Sequence, residues 1–136
     1  MLEAGEGGIG AAGAVIYTDL IGEANLTARA DESIFIEEIA GNLNIDFVFS
    51  ADHVQLAAQQ SVVDAFDDEI VNVEATTLTL LGGGVGASGN HLEIDLPLVL
   101  PPPGATPADF GYVNVNTTGD VHLFEVVGDL RVDRVI

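Results

Sequence analysis

The chain has no lysine, no cysteine and no tryptophan, and only three arginines, Arg29, Arg131 and Arg134, among 136 residues. Without cysteine there are no disulfides, thiolate metal sites or thiol nucleophiles, and without lysine there is no Schiff-base chemistry. Three scattered guanidinium groups cannot neutralise a row of phosphates, which argues against a nucleic-acid partner. Lacking tryptophan, and with only Tyr17 and Tyr112 as tyrosines, the chain supplies a poor stacking platform for sugars. Long apolar runs are also missing. The longest stretch free of Asp, Glu and Arg, from Ala75 to Leu92, contains five glycines, so no segment is expected to cross a membrane. The start, MLEAGEGGIGAAGAVIYT, carries Glu3 and Glu6 where a secretion signal would place basic residues.

Acid is abundant. Asp and Glu number 22, the formal charge is -19, and AFDDEIVNVE at 65–74 holds four carboxylates and no base. Yet 48% of residues are hydrophobic and the mean hydropathy is +0.38, unlike disordered chains, which join high charge to low hydrophobicity. A chain of this length can bury about two-thirds of its unfolded surface, enough for one core. The expectation is therefore one globular domain whose counter-charge is dissolved in the medium, since near 1 M salt the Debye length falls to about 3 Å. Absence of lysine, with plentiful Ala, Gly, Val and Thr, resembles the proteins of extreme halophiles.

Apolar alternation is the main structural signal. In NLNIDFVFS it places Leu43, Ile45, Phe47 and Phe49 on one face. In HLEIDLPLVL it aligns Leu92, Ile94, Leu96, Leu98 and Leu100, with Pro97 marking an edge or bulge. EIVNVEATTLTL changes parity between Val73 and Leu78, which a bulge at Ala75 to Thr77 would reconcile. YVNVNT, VHLFEVV and LRVDRVI read as a meander joined by tight Gly-Asp turns. SIFIEEIA fits a strand or a short helix. SADHVQLAAQQSVVDAF is read as one short helix capped by Ser50 or Asp52, although Val54, Leu56 and Ala58 also alternate. No repeat of fixed period is visible. The pattern predicts an all-β fold, an antiparallel β-sandwich or barrel of jelly-roll type with at most one or two short helices. Residues 1–13 would be a flexible glycine-rich arm, 14–136 the sandwich domain, 81–90 a long hairpin tip, and 101–109 a stiff connection.

No catalytic constellation emerges. His53, His91 and His122 occur singly, without a His-x-His pair, and Ser33, Ser50, Ser61 and Ser88 lack a nucleophile-elbow context. GGGVGASG at 82–89 lacks the following Lys-Ser/Thr of a phosphate loop. The cation candidates are Asp64, Asp67, Asp68 and Glu69, whose spacing departs from a calcium-binding loop. They point to loosely associated potassium, sodium, magnesium or calcium, with no cofactor expected. Asn25-Leu26-Thr27 and Asn116-Thr117-Thr118 are glycosylation sequons.

In overall style, with its glycine-rich start, all-β pattern and lysine-free composition, the chain resembles structural proteins of haloarchaeal viruses, nearest to head decoration or turret proteins or a small jelly-roll capsid protein. That resemblance implies a non-enzymatic virion protein on the capsid surface, made in a high-salt host cytoplasm. Its partners would be its own copies, as a trimer, and the major capsid protein. The competing expectation is a cell-surface β-sandwich that binds glycan or protein through its loops.

Overall fold

The computed structural model describes residues 1–97 and 111–136. Fourteen strands and no helix are found among them, and nothing there is a helix long and apolar enough to cross a membrane. The strands are Leu2–Ala4 (β1), Ile16–Thr18 (β2), Leu26–Ala30 (β3), Ile34–Glu38 (β4), Leu43–Ser50 (β5), His53–Ala58 (β6) and Ser61–Asp64 (β7). They continue with Val73–Glu74 (β8), Thr77–Gly82 (β9), Gly84–Val85 (β10), Leu92–Asp95 (β11), Tyr112–Thr117 (β12), Leu123–Glu125 (β13) and Val132–Val135 (β14).

Every pairing between these strands is parallel. One sheet runs β1-β3-β5-β8-β11-β13 with β7 and β10 alongside, and the other runs β14-β12-β9-β6-β4-β2. The chain therefore alternates between two sheets as it climbs. Six coils stack as rungs: β1/β2, β3/β4, β5/β6, β7–β9, β10–β12 and β13/β14. This is a parallel β-solenoid, and it replaces the expected antiparallel sandwich or jelly roll. Hairpins cannot join parallel strands; each must be reached by a crossover, which here is a full turn of the coil.

The repeat is visible in the register. Ile16 pairs with Ile36, and Ile34 with Val54, each 20 residues apart. The next offsets are 24, for Val54 to Leu78, and 35, for Leu78 to Val113, before the spacing returns to 19 at Val132. Insertions in the fourth and fifth coils hide the period from inspection of the sequence.

Side chains pointing inward from the two sheets form one core. Ile34, Ile36, Leu43, Ile45, Leu56, Leu78, Leu80, Leu92 and Ile94 are fully buried, each contributing about 1.5–3 kcal/mol by leaving water. The alternation of Val54, Leu56 and Ala58 belongs to strand β6, so the segment read as a helix is β6 and β7 joined at Gln59–Gln60. SIFIEEIA is strand β4.

Parity changes have specific causes. Leu26 pairs with Ile45 but Thr27 with Phe47, so β5 carries a bulge at Asp46, and Val48 rather than Phe47 or Phe49 continues the inward row. Phe47 and Phe49 instead meet the Arg29 guanidinium, at 4.8 and 5.8 Å from its carbon to the ring centroids. The shift near Ala75 to Thr77 is the corner where the chain leaves β8 for β9 in the other sheet, with both Thr76 and Thr77 amides donating to the Asp52 carbonyl at 2.9 and 3.2 Å. The supposed hairpin turns of the C-terminal third are corners of the same kind. Leu98, Leu100 and the proline-rich connection at 101–109 lie outside the described residues.

Residues 81–90, read as a hairpin tip, contain β10. At Gly83 a methyl group would lie 2.5 Å from the Gln60 carbonyl oxygen, and at Gly86, where φ is +61°, it would meet the His122 carbonyl. These glycines let neighbouring rungs approach closely. The glycine-rich start lies against the second rung: β1 pairs with β3, the Ile9 amide donates to the Ser33 carbonyl at 3.0 Å, and the Glu32 amide to the Gly7 carbonyl at 3.1 Å.

A buried charge ties the first two rungs together. Glu38, at the inner end of β4, accepts from the Thr18 hydroxyl at 2.8 Å, the Leu20 amide at 3.1 Å and the Ala40 amide at 3.3 Å. Burial of a carboxylate is tolerable only with such donors.

Candidate functional site

Two adjacent rungs detour outward from the same sheet. Between β7 and β8 the acid-rich residues 65–72 leave the stack, and between β10 and β11 residues 86–91 do the same, closed by paired hydrogen bonds between Ala87 and Asn90. The two loops wall a cleft of about 500 Å³ lined by Asp67, Asp68, Glu69, Gly89, Asn90, His91, Glu93 and Phe124.

Asp64 organises the first loop from below. It takes an inward position at the end of β7, and its carboxylate accepts from the Phe66 amide at 3.1 Å, the Asp68 amide at 3.1 Å and the Asn72 side-chain nitrogen at 2.8 Å. With its amide nitrogen turned toward the acceptors, Asn90 also donates to Asp64 at 3.0 Å and to the His91 carbonyl at 3.2 Å. Asp67 turns the chain with φ at +52°, and the Asp68 side chain accepts from the Ile70 amide at 2.8 Å. The acids of this loop therefore fold it, with Asp64 and Asp68 engaged by backbone donors.

Asn72 joins three successive rungs. Its nitrogen donates to Asp64 and, at 3.3 Å, to the Ile45 carbonyl, while its oxygen accepts from the Glu93 amide at 2.9 Å. The backbone continues the link: the Asn72 amide donates to the Glu93 carbonyl at 2.8 Å and its carbonyl accepts from the Val48 amide at 2.7 Å.

Glu93 is the least settled group. Only 5% of its surface is exposed and one carboxyl oxygen, Oε2, has no hydrogen-bond partner. Burial raises its pKa, reinforced by the negative charges of Asp64 and Asp68 and opposed by a backbone donor and His91. A raised carboxyl pKa means the folded state holds its proton more tightly than the unfolded chain. Stability therefore rises as pH falls through the folded pKa and levels off below the unfolded value of about 4.3. Glu93→Gln is expected to raise the midpoint of thermal unfolding at neutral pH, with the gain vanishing near pH 4; calorimetry in molar KCl at both pH values checks it. An equal effect at both would show that the charge of Glu93 is not the cause.

Of the predicted cation residues, Asp67, Asp68 and Glu69 line the cleft and Asp64 lies beneath it. Among the described residues, no three His, Asp or Glu side chains converge as ligands of one ion. The cleft's field attracts cations and repels anions. His91 and His122, distant in sequence, come together across adjacent rungs with ring centroids 6.2 Å apart. His53 is separate. It tilts against Phe35, and its Nδ1 lies 2.7 Å from the Thr77 hydroxyl oxygen; burial lowers its pKa despite Asp52 nearby.

Sequence reasoning missed Asn72, Asn90 and Glu93. The available signal was Asp64: in SVVD it shares parity with the inward Val62, and an acid on an inward row requires polar company.

Compared with models of known protein families, with curated proteins and with solved structures, the chain gives no match. The class it belongs to rests on the fold, a two-sheet parallel β-solenoid.

Proposed function

We propose that the protein is a non-enzymatic structural component of a halophilic assembly, of which the surface of a haloarchaeal virus particle is the setting its composition favours. The observation that carries this reading is the last rung. Phe124, Val127, Val132, Val135 and Ile136 are each about half exposed or more, a contiguous apolar surface of the kind that marks contact with other protein. Apolar strand edges of this kind call for further protein.

In about 1 M KCl, where the Debye length is about 3 Å, the purified chain is expected to sediment as a multi-copy species. Sedimentation velocity over a concentration series checks it, and a monomer at every concentration would overturn the structural reading. The acidic cleft favours a second reading, a surface module whose loops bind a basic group on another protein. A monomer that captures arginine-rich peptides at that cleft would support it.

A further inference from the structure

We infer that the cleft between the two loops is a receptor for one arginine side chain of a partner protein, with Glu93 taking the guanidinium and Phe124 lying against it. This inference rests on the surface-module reading above and names the group bound.

The inner wall of the cleft calls for a cation. Asn72 is engaged with three rungs, whereas Glu93 beside it is nearly buried and its Oε2 has no hydrogen-bond partner. Of the charged groups acting on Glu93, Asp64 and Asp68 are acids and only His91 can be basic. A buried carboxylate without a counter-charge is costly. A cation entering the cleft, where Asp67, Asp68 and Glu69 also stand, supplies the missing charge.

Shape selects among cations. Among the described residues no three acids or histidines converge on one point, as the ligands of a directly bound calcium ion must, and a cleft of about 500 Å³ is far larger than a bare ion. Phe124 pairs in register with Glu93, about 4.8 Å along the axis, and offers an aromatic surface more than half exposed. A guanidinium is planar, weakly hydrated and stacks on aromatic rings, whereas an ammonium holds its water more tightly. The chain makes such an arrangement once already on the same sheet: Arg29 lies over Phe47 and Phe49, with Glu3 its register neighbour.

The acid loop also points to a protein as the source of the arginine. Phe66 and Ile70 bracket Asp67, Asp68 and Glu69, and both are more than half exposed. Apolar surface beside a charged cleft matches an arginine with apolar neighbours in its own chain, which a free amino acid does not bring.

A labelled short peptide holding arginine between two leucines, with its citrulline and lysine counterparts, tests the site by fluorescence anisotropy. The full chain is used in about 1 M KCl, where potassium competes and long-range attraction is screened. The arginine peptide is expected to bind at least about tenfold more tightly than the citrulline peptide, which keeps the shape without the charge, and about threefold more tightly than the lysine peptide. Glu93→Gln is expected to weaken the arginine peptide at least about tenfold and Phe124→Ala about threefold. Should Glu93→Gln fail to fold, Glu69→Gln with Phe124→Ala, both at exposed positions, serves in its place. Equal binding of the citrulline peptide, or a Glu93→Gln variant as tight as the parent, overturns the guanidinium site, and the surface-module reading stands if basic peptides still bind the acid loop. Free arginine that binds as tightly as the peptide, or CaCl2 that binds more tightly than it, overturns the protein partner. A parent that binds no basic peptide removes both the inference and the reading beneath it.

Discussion

Transferred from about 1 M KCl to about 10 mM salt, the chain is expected to lose its β-sheet circular dichroism and to recover it when salt is restored. The cause is built into the stacking. A parallel coil sets equivalent positions about 4.8 Å apart, and acids that share a column become neighbours: Asp95 stands opposite Glu74 in register, and Asp64 and Asp68 raise the pKa of Glu93. Two unit charges 5 Å apart repel by about 0.8 kcal/mol in water. Only about a fifth of this survives when the Debye length is about 3 Å, and most of it remains at about 30 Å. With 22 carboxylates and three arginines, longer-range repulsion of the same sign adds to these close contacts at low salt and opposes a folding margin of only about 5–15 kcal/mol. An unchanged spectrum and melting point across that range would show that the fold needs no screening.

The second large effect is expected from Asn72→Ala. Its side chain is 2% exposed and forms hydrogen bonds in three rungs, with Ile45, Asp64 and Glu93. The substitution leaves the Glu93 amide facing an alanine and removes one donor each from the Ile45 carbonyl, which keeps the Ala65 amide at 2.9 Å, and from the buried Asp64 carboxylate, which keeps the Phe66 and Asp68 amides. At about 1–3 kcal/mol for the one buried donor left unpaired and about 0.5–1.5 kcal/mol for each of the two other bonds lost, the expected cost is about 2–5 kcal/mol, a large part of the total margin. Chemical denaturation by urea in molar KCl measures it directly. Asn72→Asp sharpens the test: it keeps an acceptor for the Glu93 amide, loses the donor, and adds a negative charge beside Asp64. Its loss should exceed that of alanine at neutral pH and shrink in acid. A cost below about 0.5 kcal/mol for alanine would show that the neighbouring rungs hold together without this residue, since surface substitutions without structural roles fall in that range.

The inward rows were legible in the sequence. Leu43 with Ile45, Val54 with Leu56 and Ala58, Leu78 with Leu80, and Leu92 with Ile94 and Leu96 alternate as strands do and are buried. The direction of pairing was not legible, because a coil corner uses the same glycine and aspartate residues as a hairpin turn. Nor was the period, since the detours at 65–72 and 86–91 and the segment between Leu96 and Tyr112 separate matching columns by unequal distances. Glu93 shows why the site stayed hidden. Its parity is opposite to that of Leu92 and Ile94, which reads as solvent-facing, yet an outward position is closed from water when loops fold across it. Alternation reports the side of a sheet, and says nothing about what the rest of the chain lays on that side.

The coil also makes length a countable property. Duplicating or deleting a turn of about 20 residues would change the shaft by one increment of about 4.8 Å, provided its apolar residues fall on the existing columns, so reach can evolve in graduated steps without redesigning the interior. Bulk added at the corners, as in the two detours, alters what the shaft displays while leaving its gauge untouched.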